Sequence, residues 1–239
     1  LKMEAKLDGE ADSGNVLGEI RGREKPDEVV VIGGHFDSWD VGQGAHDDGC
    51  ACMAAWNALV VLKQLGLRPR RTLRVALWTS EENSGAGGRA YRDALGPDAS
   101  SHVAAIEMDG GCERPTGFGV SILKPGEPRR REGGGRAAGE PDDPAALDAL
   151  SALREVGALL APIDADAVKW GGGGADIGPL MRDGVPGLSI DTVGEHYFDW
   201  HHTNADTLDK VDPSELRKAT AMFALMGWAL ADAPGRLVP

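Results

Sequence analysis

The sequence predicts an α/β fold organised on a central parallel sheet, and three observations carry that reading. Val29, Val30, Val31 and Ile32 form an unbroken β-branched run, which suits a strand covered on both faces. An apolar segment at mainly helical spacing, with Met53, Trp56, Leu59, Val60 and Leu62, follows behind the Asp47-Asp48 pair. Three separate strand-like runs end in His35, in Glu81 with Glu82, and in Asp109. Open α/β sheets bind their ligands at the carboxyl ends of strands, so these side chains are expected to converge.

The elements read as follows. Residues 1–7 and 15–21 alternate loosely around a turn at 8–14 and suggest a β-hairpin leading into the Val29 strand. The helix behind Asp48 should stop near Gly66. Residues 71–79 make the next strand, followed by a Gly-rich turn and a short helix around 89–95. Residues 102–109 and 117–123 are two more strands. Between Lys124 and Pro144 the composition turns to Gly, Pro, Arg and Glu, expected of a mobile surface loop. An amphipathic helix spans 145–160. Gly171 to Gly174 then form a Gly-rich loop opening a short helix after Asp176. No Lys-Ser/Thr pair follows it, which excludes a P-loop. The loop suggests instead close approach of a substrate to backbone around Gly173, with Asp176 on the substrate side. A short strand at 185–191, an irregular His-rich segment and a closing helix over 213–231 complete the chain. Asp212 is its expected N-cap, with Pro213 at N1.

Bulk properties narrow the function. The 239 residues are read as a single catalytic domain, 1–239, with 41% hydrophobic and 26% charged residues, an ordinary globular balance. The chain opens on Leu1 in strand-like sequence, which suggests that the natural N-terminus is missing. The formal charge of −13 makes nucleic acid and anionic membrane poor partners, and no apolar run is as long as a membrane span. Cys50, Cys52 and Cys112 are too few and odd in number for a disulfide framework. They read as small core residues, not a zinc-thiolate site.

Two imidazoles, two carboxylates and a bridging carboxylate suffice to hold a pair of divalent ions. Nitrogen and oxygen donors of this kind suit Zn²⁺, with Co²⁺ or Mn²⁺ as substitutes. Such ions sit about 3.5–4 Å apart and lower the pKa of a shared water. A further carboxylate must take that water's proton and deliver it to the leaving amine. Adjacent Glu81 and Glu82 offer one ligand and one base.

The blocks HFDSWDVGQGAHDDG, SEEN, EMDGG, GGGADIGPL and HHTNADT, in this order, resemble the co-catalytic zinc peptidases of family M28, particularly their carboxypeptidase Q branch. The resemblance runs from about Asn15 to the final helix. It implies a mixed, mostly parallel central sheet between helical layers, of the zinc aminopeptidase/carboxypeptidase type. It further implies two Zn²⁺ ions, one on His35 and Asp109 and the other on Glu82 and His202, with Asp47 bridging. Glu81 would be the general base, Asp37 would orient His35, and His201 would donate to the tetrahedral intermediate. A cis peptide between Asp47 and Asp48 is also implied. So are a short peptide substrate, room for a homodimer, and a secreted or periplasmic setting. Cys50 and Ala51 depart from the usual Gly-Gly at that helix start.

Taken singly, these residues have plainer readings: Asp47 as a helix cap, Glu81 and Glu82 as a solvated turn. His46, His102 and His196 are read as core or surface histidines. Two other functions fit the same blocks: a metal-dependent amidohydrolase on N-acyl amino acids, and a non-catalytic receptor-like relative.

Overall fold

The computed structural model describes Glu4, Gly9 and residues 11–125 and 141–238. Its strands are β1 (Val16–Ile20), β2 (Lys25–His35), β3 (Arg71–Trp78), β4 (His102–Glu107), β5 (Pro115–Ser121), β6 (Ala167–Trp170) and β7 (Gly187–Thr192). They form one sheet in the order β1-β3-β2-β4-β7-β5-β6. The pairs β2–β3, β2–β4, β4–β7 and β5–β6 run parallel. The pairs β1–β3 and β5–β7 run antiparallel. The sheet is therefore mixed and mostly parallel, with β2 and β4 near its centre.

The β-branched run of β2 has a physical reason. Val30 and Ile32 face one layer, packed with the small residues Ala51, Ala54, Ala55 and Ala58 of α1 (Cys50–Gln64). Phe223 and Met226 of the last helix, Pro213–Asp232, join the same layer, as does Leu150 of Pro144–Gly157. Val31 faces the other layer with Ala76, Trp78, Tyr91, Leu180 and Met181. That layer is made by α2 (Ala86–Ala94) and the short helix Gly178–Arg182. In chain order the remaining helices are α3 (Pro144–Gly157), α4 (Gly178–Arg182), α5 (Tyr197–Trp200) and α6 (Pro213–Asp232). Each fully buried Val or Ile contributes about 1.5–3 kcal/mol, so a charge at Val31 or Ile32 would undo the centre of the sheet.

Several boundaries differ from the sequence reading. Strand β2 begins earlier, at Lys25, because a register shift between Lys25 and Val29 absorbs Pro26, which has no amide to donate. The proposed hairpin is not what holds β1: it pairs with β3, and the hairpin's first arm falls mostly outside the described residues. Helix α3 ends at Gly157 and tightens into a 3₁₀ turn, Ala158–Ile163, that accommodates Pro162. Strand β6 was not expected; four residues are too few to display a period. The loop proposed for 124–144 lies largely outside the described residues. Asp212 does cap α6, accepting the Ser214 amide at 2.6 Å and that of Glu215 at 3.4 Å. Among the described residues no helix is long and apolar enough to cross a membrane.

Candidate metal centre

The sheet brings the chemistry to one edge. His35 is the last residue of β2, Glu81 and Glu82 follow β3, and Asp109 follows β4. Asp47 comes from the turn before α1, whose link to Asp48 is a cis peptide. His201 and His202 follow α5.

Asp47 joins the two halves of the cluster. Its Oδ1 lies 3.4 Å from His35 Nε2, while Oδ2 lies 3.6 Å from His202 Nε2. On the first side, His35 Nε2 is also 3.4 Å from Asp109 Oδ1 and 4.0 Å from Glu81 Oε2. On the second, His202 Nε2 is 2.7 Å from Glu82 Oε2. His201 stacks on His202 with ring centres 3.5 Å apart and brings its Nε2 to 3.4 Å from Asp47 Oδ2. The groups His35–Asp47–Glu82, His35–Glu81–Asp109 and Asp47–His201–His202 each gather ligand atoms within 4.8 Å of one another.

The supporting contacts explain why these side chains stay in place. The Asp37 carboxylate accepts the amides of Glu81 and Glu82 at 3.0 and 3.3 Å. Its backbone carbonyl lies 3.0 Å from His35 Nδ1, nearer than its carboxylate at 3.6 Å. Asp37 thus fixes the His35 ring through its main chain and the Glu pair through its side chain. Asp48, fully buried, accepts the His35 amide at 3.0 Å. Gly34 is required there, since a Cβ would stand 2.2 Å from Asp48 Oδ2. Asp206 accepts the amides of His46 and Asp47. Trp39 stacks on His202 at 4.4 Å.

The residues read as substrate-side lie behind the cluster, where Asp176 feels the charges of His35, Glu81 and Asp109. Asp176 is 1% exposed, and neither of its carboxylate oxygens has a hydrogen-bond partner. The loop carrying Gly173, itself at φ 114°, wraps Glu107. The Ala175 and Ile177 amides donate to the Glu107 carboxylate at 2.9 and 2.8 Å. A Cβ on Gly174 would stand 1.9 Å from that carboxyl carbon. Gly174 thus makes room for a buried acid. Sequence reasoning passed over Tyr197, whose ring lies 4.7 Å from that of His201; burial and then the charge of Asp47 push the pKa of its hydroxyl up. Its only signal was an aromatic run next to two histidines.

Burial and mutual repulsion of the carboxylates set the electrostatics of the cluster. Burial, then the charge of Asp109, raises Glu81 to about 7. Burial and Asp47 raise Glu82. Burial opposes protonation of His35, but Asp109, Asp37 and Asp47 outweigh it and push its pKa up. His35 Nε2, Asp47 Oδ2 and Glu82 Oε1 are buried without a hydrogen-bond partner, a concentration that native proteins avoid unless something binds there. Nitrogen and carboxylate donors in this arrangement fit divalent ions, whose charge would reverse these shifts.

Fold and site together define a metallopeptidase-type domain. Residues 15–226 match the model of peptidase family M28. The chain belongs to peptidase family M28. It is 38% identical over 232 residues to carboxypeptidase Q of Bos taurus, covering 97% of this chain and 44% of that protein. The structure of a peptidase M28 precursor from Shewanella amazonensis superposes with a TM-score of 0.77 at 32% identity, covering 94% of this chain and 46% of that one. A zinc aminopeptidase from Bacillus subtilis shares the fold, with a TM-score of 0.66 at 16% identity over 94% of this chain and 52% of its own. The chain thus spans less than half the length of the curated relative.

Proposed function

We propose that this domain is a di-zinc exopeptidase or dipeptidase acting on short unblocked peptides. One observation carries the reading: Asp47 presents one carboxylate oxygen to His35 and the other to His202, as a carboxylate shared by two ions must. His35 and Asp109 would hold one ion, Glu82 and His202 the other. When bound, the pair supplies Lewis acidity toward water and the scissile carbonyl.

The chain's own groups do the remaining work. Glu81, close to His35 but not matched to a third imidazole, takes the proton of the attacking water and hands it to the leaving amine. Asp37 keeps Glu81 and Glu82 at fixed separation through their amides. His201, 3.4 Å from Asp47 Oδ2, with the Tyr197 ring beside it, would donate to negative charge developing on the carbonyl oxygen.

The test joins metal and substrate. Protein loaded with Zn²⁺ should hold two ions, located by anomalous scattering at the zinc edge beside His35 and His202. It should cleave free dipeptides faster than N-acyl amino acids. One ion, or a preference for acylated amino acids, would replace this reading with the amidohydrolase alternative. Two bound ions with no hydrolysis of either class would favour the receptor-like one.

A further inference from the structure

One buried histidine is left without a task by the proposed chemistry. His46, next to Asp47, is 0% exposed, and neither of its ring nitrogens has a hydrogen-bond partner among the described residues. Burying an imidazole in this way costs free energy, so what the ring supplies is its shape. The main chain of His46 is fixed on both sides. Its amide donates to Asp206 at 2.6 Å, and its carbonyl accepts the Cys50 thiol at 3.1 Å. The ring then meets two loops from distant parts of the chain. In the first, Gly111 follows Asp109 by two residues, and a Cβ on it would stand 1.7 Å from His46 Cε1. In the second, Trp200 directly precedes His201 and meets the ring edge-on, with centres 5.0 Å apart and planes at 81°. Tyr197 lies on the same loop, its ring centre 6.1 Å away.

We propose that His46 is a positioning residue for both ions, its ring setting the loop of Asp109 and the loop of His202 at one fixed separation. The proposal rests on the di-zinc reading above. Asp47 links the two halves of the cluster through its carboxylate, and His46 links them a second time, through the loops that carry their other ligands. A close-packed ring does not compress, so a shift at Gly111 is passed to Trp200 and from there to His201 and His202. Gly111 has φ 68° and no side chain, which lets the chain come this close. Truncating the ring leaves a cavity into which either loop can relax, and ligands displaced by a fraction of an ångström hold an ion less well.

The full chain is titrated with Zn²⁺ as wild type, His46→Ala, His46→Met, Gly111→Ala and the His46→Ala/Gly111→Ala pair. His46→Ala should weaken both sites, each by about tenfold or more. His46→Met fills similar space without ring nitrogens and should bring both affinities back to within about threefold of wild type. Gly111→Ala drives a Cβ into the ring and strains a left-handed position, and only the clash depends on His46. The double variant should therefore bind more tightly than the two single losses multiplied together. Hydrogen exchange on the metal-free proteins gives a readout that needs no zinc: in His46→Ala, residues 109–114 and 197–203 should lose protection together. Two ions in the wild type with only one site weakened in His46→Ala, or neither, would overturn the proposal. Loss of protection in one segment alone would do the same. If His46→Ala does not fold, Gly111→Ala decides, and weakening of a single site in it overturns the proposal. Fewer than two ions in the wild type would instead end the di-zinc reading, and exchange would still decide whether the ring joins the two loops.

Discussion

The amide of Asp47 donates to Asp206 Oδ2 at 3.0 Å, a link across most of the chain between the shared carboxylate and the loop beyond His202. The other Asp206 oxygen takes the His46 amide at 2.6 Å, and the residue is 3% exposed. Asp206→Ala leaves two buried amides without an acceptor, at about 1–3 kcal/mol each. Asp206→Asn keeps one acceptor and loses less. Because Asp206 holds the backbone of Asp47, zinc affinity should fall about 10–100-fold in the folded Asn variant. Urea unfolding and zinc titration measure the two effects separately. Unchanged zinc affinity in Asp206→Asn would reduce Asp206 to a purely structural residue.

Glu81→Gln tests the base. The amide cannot accept the water's proton, so kcat should drop about 10²–10⁴-fold, while metal analysis still counts two ions. Asp47→Ala should instead lose both ions, because each side of the cluster uses one of its oxygens. Wild-type turnover in Glu81→Gln would remove Glu81 from the reaction.

Much of this arrangement was legible in the chain because its causes are local. The run from Val29 to Ile32 announces a doubly covered strand, and a strand's end is set by the acids and glycines that follow it. Asp212-Pro213 announces a helix start for the same kind of reason. What escaped depends on contacts far apart in sequence. Nothing near Asp206 says that it will meet the His46 and Asp47 amides. Nothing near Gly174 says that its missing Cβ makes room for Glu107. The pairing of β1 with β3 is equally remote, since it follows from which sheet edge is free. Strand β6 was hidden by brevity, and Asp37 acts through its carbonyl as well as its carboxylate, a division no side-chain pattern encodes.

Trp39 should set how well the second ion is held. Its ring lies on that of His202, with planes 8° apart, and His202 has φ 58°. A non-glycine residue in that region costs about 1–3 kcal/mol unless its surroundings hold it there. Trp39→Ala removes the stacking surface, so zinc titration should show one site weakened about tenfold and the other unchanged. Trp39→Phe should restore most of the difference. Two sites weakened equally would mean that Trp39 acts on the whole loop and not on His202.

His102 should give the fold a pH dependence independent of the metal centre. It lies at the start of β4, 3% exposed, with Nε2 hydrogen-bonded to the Tyr91 hydroxyl at 2.8 Å. Burial, then the charge of Arg74, lowers its pKa to about 4. The unfolded chain titrates this imidazole near 6.5. Between those values the unfolded state binds the proton and the native state does not, so stability falls as pH drops through about 6.5 and levels off below about 4. The full loss from this one group is about 3 kcal/mol. Other groups, including Glu81 and Asp176, add their own slopes, so the informative quantity is a difference. His102→Gln keeps a hydrogen-bonding partner for Tyr91 but cannot ionise. Urea unfolding of both proteins from about pH 7 to pH 4.5 should show their stabilities drawing together in favour of the variant as the solution is acidified. Parallel profiles would mean that His102 takes up its proton in the native state as readily as in the unfolded chain, so that burial does not control it.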